Sequence, residues 1–222
     1  MATEARTTIR LKNLVGKTDA QIFLIIGPPG SGKESFAMQY LIDGFTEKDN
    51  GVFLTTDCFP EEIIEKMKKL GTDPTPYISS KAFEFIDAFS YRTGEKINNK
   101  LAVDHIQDLT SLSVIVKKLI DSQEKLRLVI NTISTISVYN PGLALLDFIQ
   151  AQVARLKQKN HSGILIAHEG MMEEKVIQGI KAIVDGVIEF KPLEDENGVL
   201  QRRLRVVYAP NIKKSGWINL YQ

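Results

Sequence analysis

Along the chain, short runs of apolar and β-branched residues alternate with longer stretches whose apolar positions recur every three or four residues. That alternation predicts parallel strands joined by crossover helices. Residues 21–27 (QIFLIIG) read as a buried strand. The stretch 33–45 (KESFAMQYLIDGF) sets Phe36, Tyr40 and Leu41 at helical spacing, with Gly44 near the expected end. A second strand at 51–56 precedes a helix at 60–71, where Pro60 suits a first turn, Gly71 suits a C-terminal stop, and Glu61 and Glu62 complement the helix dipole.

The pattern then predicts strands at 82–89, 126–133, 162–168 and 182–190, and amphipathic helices at 109–123 and 144–159. The polar stretch 90–100 (SYRTGEKINNK) reads as a basic loop. Two final stretches, 200–209 and 217–222, are compatible with antiparallel strands flanking the sheet. No repeat, low-complexity tract or linker divides the chain, so a single domain over 1–222 is expected. Its expected class is α/β: a mostly parallel sheet with helices on both faces and an antiparallel C-terminal edge.

Composition narrows the partners. Lys plus Arg number 28 against 27 Asp plus Glu, and the net charge of +1 gives no global drive toward nucleic acid or an anionic membrane. The single cysteine, Cys58, has no intrachain partner and suits a reducing compartment. No apolar run reaches signal-peptide or membrane-span length, so the expectation is a soluble cytoplasmic protein without membrane contact. His105, His161 and His168 lack the spacing of a zinc site, and no nucleophile elbow occurs.

The chemistry concentrates in LIIGPPGSGKESF, residues 24–36. Gly27, Gly32 and Lys33 have the G-x-x-x-x-G-K spacing between a predicted strand and a predicted helix, with Pro28, Pro29, Gly30 and Ser31 forming the turn. Glycines let the backbone curl so that amides face inward, the helix end adds partial positive charge, and Lys33 reaches the β- and γ-phosphates of a nucleotide. Ser35 is placed nearer the α-phosphate. The residue after the lysine normally offers a hydroxyl to magnesium; Glu34 offers a carboxylate instead. It reads equally as an acid complementing a helix N-terminus and as a functional group. A P-loop protein also needs a strand ending in an aspartate for the magnesium shell, and RLVINTIST has Asn131 there.

Further stretches carry a likeness: TTDCFPEEI (55–63), FIDAFSYRTG (85–94), VINTIST (129–135), AHEG (167–170) and IVDGVIEF (183–190). In this order they resemble the KaiC-like branch of the RecA superfamily, over roughly residues 9–220. The resemblance implies a RecA-like P-loop core binding ATP and Mg²⁺. It also places the family's catalytic carboxylate pair at Asp57 and Cys58, its sensor at His168 and Glu169, and its two cations for a neighbouring subunit's γ-phosphate at Tyr208 and Pro210. The magnesium hydroxyl, the magnesium aspartate, the base pair and the trans cations thus all depart from the family pattern.

The implied function is an adenine-nucleotide-binding protein with weak or lost hydrolysis, acting as a nucleotide-responsive regulatory or assembly module. Head-to-tail assembly into a ring, with a hexamer among the options, or into a filament is expected, and a protein partner is compatible. Glu34 and Asn131 could have exchanged roles at the metal, Glu34 as direct Mg²⁺ ligand and Asn131 positioning water, or could reflect independent decay. One alternative is an active ATPase or kinase using Asp57, His168 or Glu169. Another is a recombinase-like binder of single-stranded DNA; it is disfavoured because 169–181 is more acidic than basic, and Met171 and Met172 there suit a protein contact. Arg202, Arg203 and Arg205 read as decorations of an exposed strand.

Overall fold

The computed structural model describes residues 8–16, 18–94, 101–195, 197–213 and 216–221. Its elements, in chain order, are α1 (Leu11–Val15), β1 (Ile22–Gly27), α2 (Lys33–Thr46), β2 (Asn50–Thr55), α3 (Pro60–Lys69), α4 (Thr75–Ser79) and β3 (Phe83–Asp87). There follow α5 (Leu109–Ser122), β4 (Leu126–Asn131), α6 (Ile133–Tyr139), α7 (Leu143–Gln158), β5 (Ser162–His168), α8 (Glu174–Ile183), β6 (Gly186–Glu194), β7 (Leu200–Tyr208) and β8 (Ile218–Asn219). The strands form one sheet in the order β3-β2-β4-β5-β1-β6-β7-β8. The first six run parallel, and β7 and β8 add antiparallel at the edge. This is the expected α/β architecture.

The side-chain period of two splits each central strand between two cores. Ile22, Leu24, Leu128, Ile130, Leu165 and Ala167 face the layer built from α5, α6, α7 and α8. Phe23, Ile25, Val129, Ile164 and Ile166 face the opposite layer, where α2 contributes Phe36, Ala37, Tyr40 and Leu41. Double-sided burial explains why β1, β4 and β5 read as continuous apolar runs rather than alternating ones.

The structure moves several expected boundaries. The strand expected to reach residue 133 stops at Asn131, because Thr132 caps α6 by accepting a hydrogen bond from the Thr135 amide at 3.2 Å. The strand expected at 182–190 begins at Gly186, since Ile183 still belongs to α8. The last expected strand shrinks to Ile218–Asn219 plus a bridge from Tyr221 to Thr8. The basic loop after β3 begins with a 3₁₀ turn, Ser90–Thr93, and residues 95–100 lie outside the described residues. Among the described residues no helix is long and apolar enough to cross a membrane.

Gly44 does not end α2; it gives passage to Arg127. A β-carbon at Gly44 would stand 2.7 Å from Arg127 Cδ. The buried guanidinium donates from Nε to Asp49 Oδ2 at 2.7 Å, from Nη1 to the Tyr40 carbonyl at 2.9 Å, and from Nη2 to Glu47. Lys125 Nζ stands 3.0 Å from Asp49 Oδ1. This network locks α2 to the N-terminal end of β4, the end of the sheet opposite the phosphate loop. Arg127→Met removes charge-assisted hydrogen bonds while Lys125 still pairs with Asp49, so it is expected to lower stability by about 1.5–3 kcal/mol, read as a shifted midpoint in urea unfolding.

Candidate functional site

The loop between β1 and α2 lies at the C-terminal end of the parallel strands, where open α/β sheets take ligands. Gly30 and Gly32 adopt φ of +74° and +91°. At Gly32 the requirement is also steric: a β-carbon would fall 2.3 Å from Leu220 Cδ2. Pro28 contributes its carbonyl, which accepts from the Ser31 amide at 3.3 Å and from Lys33 Nζ at 3.0 Å. Pro29 is exposed, and Ser35 is half-buried in the first turn of α2.

Lys33 is fully buried, and its ammonium also pairs with Glu34 Oε1 at 3.1 Å. Glu34 therefore turns toward the lysine rather than away from it. Ser31 Oγ and Asn131 Oδ1 are buried without a hydrogen-bond partner among the described residues. Loop glycines in left-handed geometry, an anchored ammonium and an orphaned serine hydroxyl fit a phosphate chain. No group of three or more His, Cys, Asp or Glu poised for a metal occurs among the described residues. A magnesium ion at this site would depend on the phosphates together with Glu34 and Asn131.

Asp57 follows the end of β2 and reaches α6. Its Oδ1 accepts from Thr135 Oγ1 at 2.5 Å and Thr56 Oγ1 at 2.9 Å, while Oδ2 accepts from Thr132 Oγ1 at 3.3 Å. His168 Nε2 stands 3.7 Å from Oδ2. Burial by itself would raise this carboxyl, but His168 and the hydroxyls together outweigh it and hold the group below the usual carboxylate range. Cys58 is buried, and burial pushes its thiol up.

The strand pair β1–β5 brings His168 opposite Gly27, and the Glu169 amide donates to the Gly27 carbonyl at 3.2 Å. The His168 amide is held by Ser134 Oγ at 2.8 Å. The Glu169 side chain is exposed. Beyond His168 a cleft of about 380 Å³ opens between α8 and the β6–β7 ribbon, lined in part by Glu169, Lys181, Glu189, Arg205 and Trp217. Tyr208 donates its hydroxyl to the Lys181 carbonyl. The Lys213 amide donates to the Leu14 carbonyl at 2.7 Å, and Lys214 lies outside the described residues.

The structure thus joins Asp57 to His168 and Lys33 to Glu34. Sequence reasoning missed Thr132, Thr135 and Ser134, although the run TISTIS just after a strand is a capping pattern that could have pointed to them. It also missed the role of Arg202, whose Nε donates to the Gly30 carbonyl at 2.8 Å from 172 residues away. Arg205 pairs with Glu189 at 2.7 Å and lies over the Trp217 ring.

A family model described as the ATPase KaiC matches residues 6–211. The chain is 27% identical over 194 residues to a UPF0273 protein of Thermotoga maritima, covering 86% of this chain and 79% of the relative. A UPF0273 protein of Sulfurisphaera tokodaii is 28% identical over 204 residues, covering 86% and 68%. The corresponding protein of Pyrococcus horikoshii is 25% identical over 193 residues, covering 86% and 77%.

A carboxyl held below its unfolded value stabilises the fold above the unfolded pKa, and that contribution fades as pH falls through the folded value. Asp57→Asn is therefore expected to be less stable than the parent above about pH 5, with the gap closing below about pH 4. Urea midpoints of both proteins across that range check it; a gap that stays constant would show that the charge on Asp57 contributes nothing.

Proposed function

The chain belongs to the KaiC ATPase family, and from that premise we propose that it holds ATP with magnesium at residues 27–35 while hydrolysing it weakly or not at all. Family membership supports a nucleotide-binding, ATPase-like protein. The observation that carries the finer reading is the state of Asp57. Its carboxylate is committed to three hydroxyls and its basicity is lowered, so it is a poor acceptor for a proton from an attacking water.

The parts that would hold a nucleotide are in better order than those that would cut it. The amides of the loop and the Lys33 ammonium would take the phosphates, with Ser31 and Ser35 lining the loop. Glu34 and Asn131 are the residues on the metal side, where magnesium, when bound, shields the phosphate charge. Beside Asp57 stands a buried thiol rather than a second carboxylate, and Tyr208 and Pro210 supply no cation to a neighbouring subunit. Loss of such a cation lowers the rate of phosphoryl transfer by about three to five orders of magnitude. Binding depends on none of these groups.

A regulatory or assembly role follows from the connections of the loop. The Gly27 carbonyl holds the Glu169 amide, so a change at the phosphates is felt at the start of the β5–α8 connection, where Met171 is exposed. Head-to-tail contact between copies would place that surface against a neighbour.

Calorimetric titration with Mg-ATP, paired with phosphate release followed for hours, tests the reading. Saturable binding is expected, lost in Lys33→Ala, with turnover at least about 10³–10⁵-fold below the roughly 10 per second of an ordinary enzyme. Sustained phosphate release at an ordinary rate, abolished by Lys33→Ala, would instead establish an active ATPase. Light scattering with and without Mg-ATP is expected to show a larger particle with nucleotide; an unchanged monomer at high concentration would remove the assembly role.

A further inference from the structure

We propose that Glu34 is a built-in counter-charge of the phosphate loop, which discriminates against metal-free polyphosphate and admits the nucleotide accompanied by its divalent cation. The proposal deepens the nucleotide-binding reading above and rests on it. Its basis is the placement of two adjacent side chains. Lys33 Nζ has no exposure to water, and its partners are the Pro28 carbonyl at 3.0 Å and Glu34 Oε1 at 3.1 Å. The carboxylate occupies one of the ammonium's donor directions, the same donors a phosphate oxygen would use.

In an ordinary loop of this kind the lysine presents a full positive charge to the phosphates. In this chain lysine and glutamate sum to zero, leaving the backbone amides and the partial charge of the α2 N-terminus as the attraction. Among the described residues Arg202 also touches the loop, but it donates to the Gly30 carbonyl, and Asn131 brings no charge. A triphosphate without metal must displace a carboxylate from Lys33 and then lie beside it. That repulsion grows with the charge of the ligand, so it is greater for ATP than for ADP.

The pair is able to open. The Glu34 side chain is 29% exposed while that of Lys33 is at 0%, so the carboxylate can withdraw toward water without unwinding α2. As an acid in the first turn of a helix it remains in a favourable field after it leaves. A divalent cation carried by the nucleotide removes the repulsion, because a carboxylate oxygen is the kind of ligand magnesium takes. The residue that departs from the usual hydroxyl thereby becomes a specificity determinant rather than a lesion.

The test is calorimetric titration of the full chain and of Glu34→Gln and Glu34→Thr with ATP and with ADP, each in EDTA and in excess MgCl₂. In EDTA both variants are expected to bind at least about tenfold more tightly than the parent, with the larger gain for ATP. In magnesium the gain is expected to shrink to within about threefold. A second readout needs no nucleoside: inorganic tripolyphosphate in EDTA is expected to raise the thermal midpoint of Glu34→Gln and leave that of the parent unmoved. Equal metal-free affinities for parent and Glu34→Gln would overturn the proposal while leaving nucleotide binding intact. So would a gain seen with threonine and not with glutamine, which would assign the effect to the hydroxyl rather than to the charge. Failure of all three proteins to take Mg-ATP would overturn the binding reading and this proposal with it.

Discussion

An ammonium sealed from water needs its acceptors within the protein, and around Lys33 that requirement organises the loop, the start of α2 and the chemistry of the site. Burial of an unpaired charge would be prohibitive, so the Pro28 carbonyl and the Glu34 carboxylate close around it. The lysine has no freedom to turn outward, because the turns that follow bury Phe36, Ala37, Tyr40 and Leu41 against the sheet. The strand before it is clamped between β5 and β6. Position of the charge is thus a property of the whole core, and its pairing is a property of one neighbour.

The two ends of the sheet contrast. At the N-terminal end Arg127, Asp49, Glu47 and Lys125 form a network of ion pairs, and Gln21 Oε1 and His161 Nδ1 are buried without a hydrogen-bond partner among the described residues. At the C-terminal end Ser31 Oγ, Asn131 Oδ1 and His168 Nδ1 are buried without a hydrogen-bond partner among the described residues. Unsatisfied buried polar atoms are destabilising, and a ligand bound at the phosphate-type loop would supply a partner to those beside it. Asp57 belongs to neither group. Its carboxylate links the end of β2 to the hydroxyls of Thr132 and Thr135 at the start of α6.

Much was legible along the chain because the information was local. Short, largely apolar runs marked β1, β4 and β5, and amphipathic spacing marked α5 and α7, since each pattern is written within a dozen residues and answers to burial on one or two faces. The phosphate loop was legible for the same reason: its glycines, its lysine and the flanking strand and helix are contiguous. Short helices such as α4 and α6, and the register of the last strands, were not, because they are set by caps and distant packing rather than by periodicity.

The sequence by itself determined the sheet's central strands, the phosphate-type loop, and the departure at Glu34 from the usual hydroxyl. Only the tertiary structure decided where that carboxylate goes, that Asp57 is tied by threonines, and that Arg202 and Leu220 reach the loop from the far end of the chain. The division has a physical cause: backbone conformation answers to neighbours in sequence, whereas the partner of a charge is whichever group the folded core brings within about 3 Å.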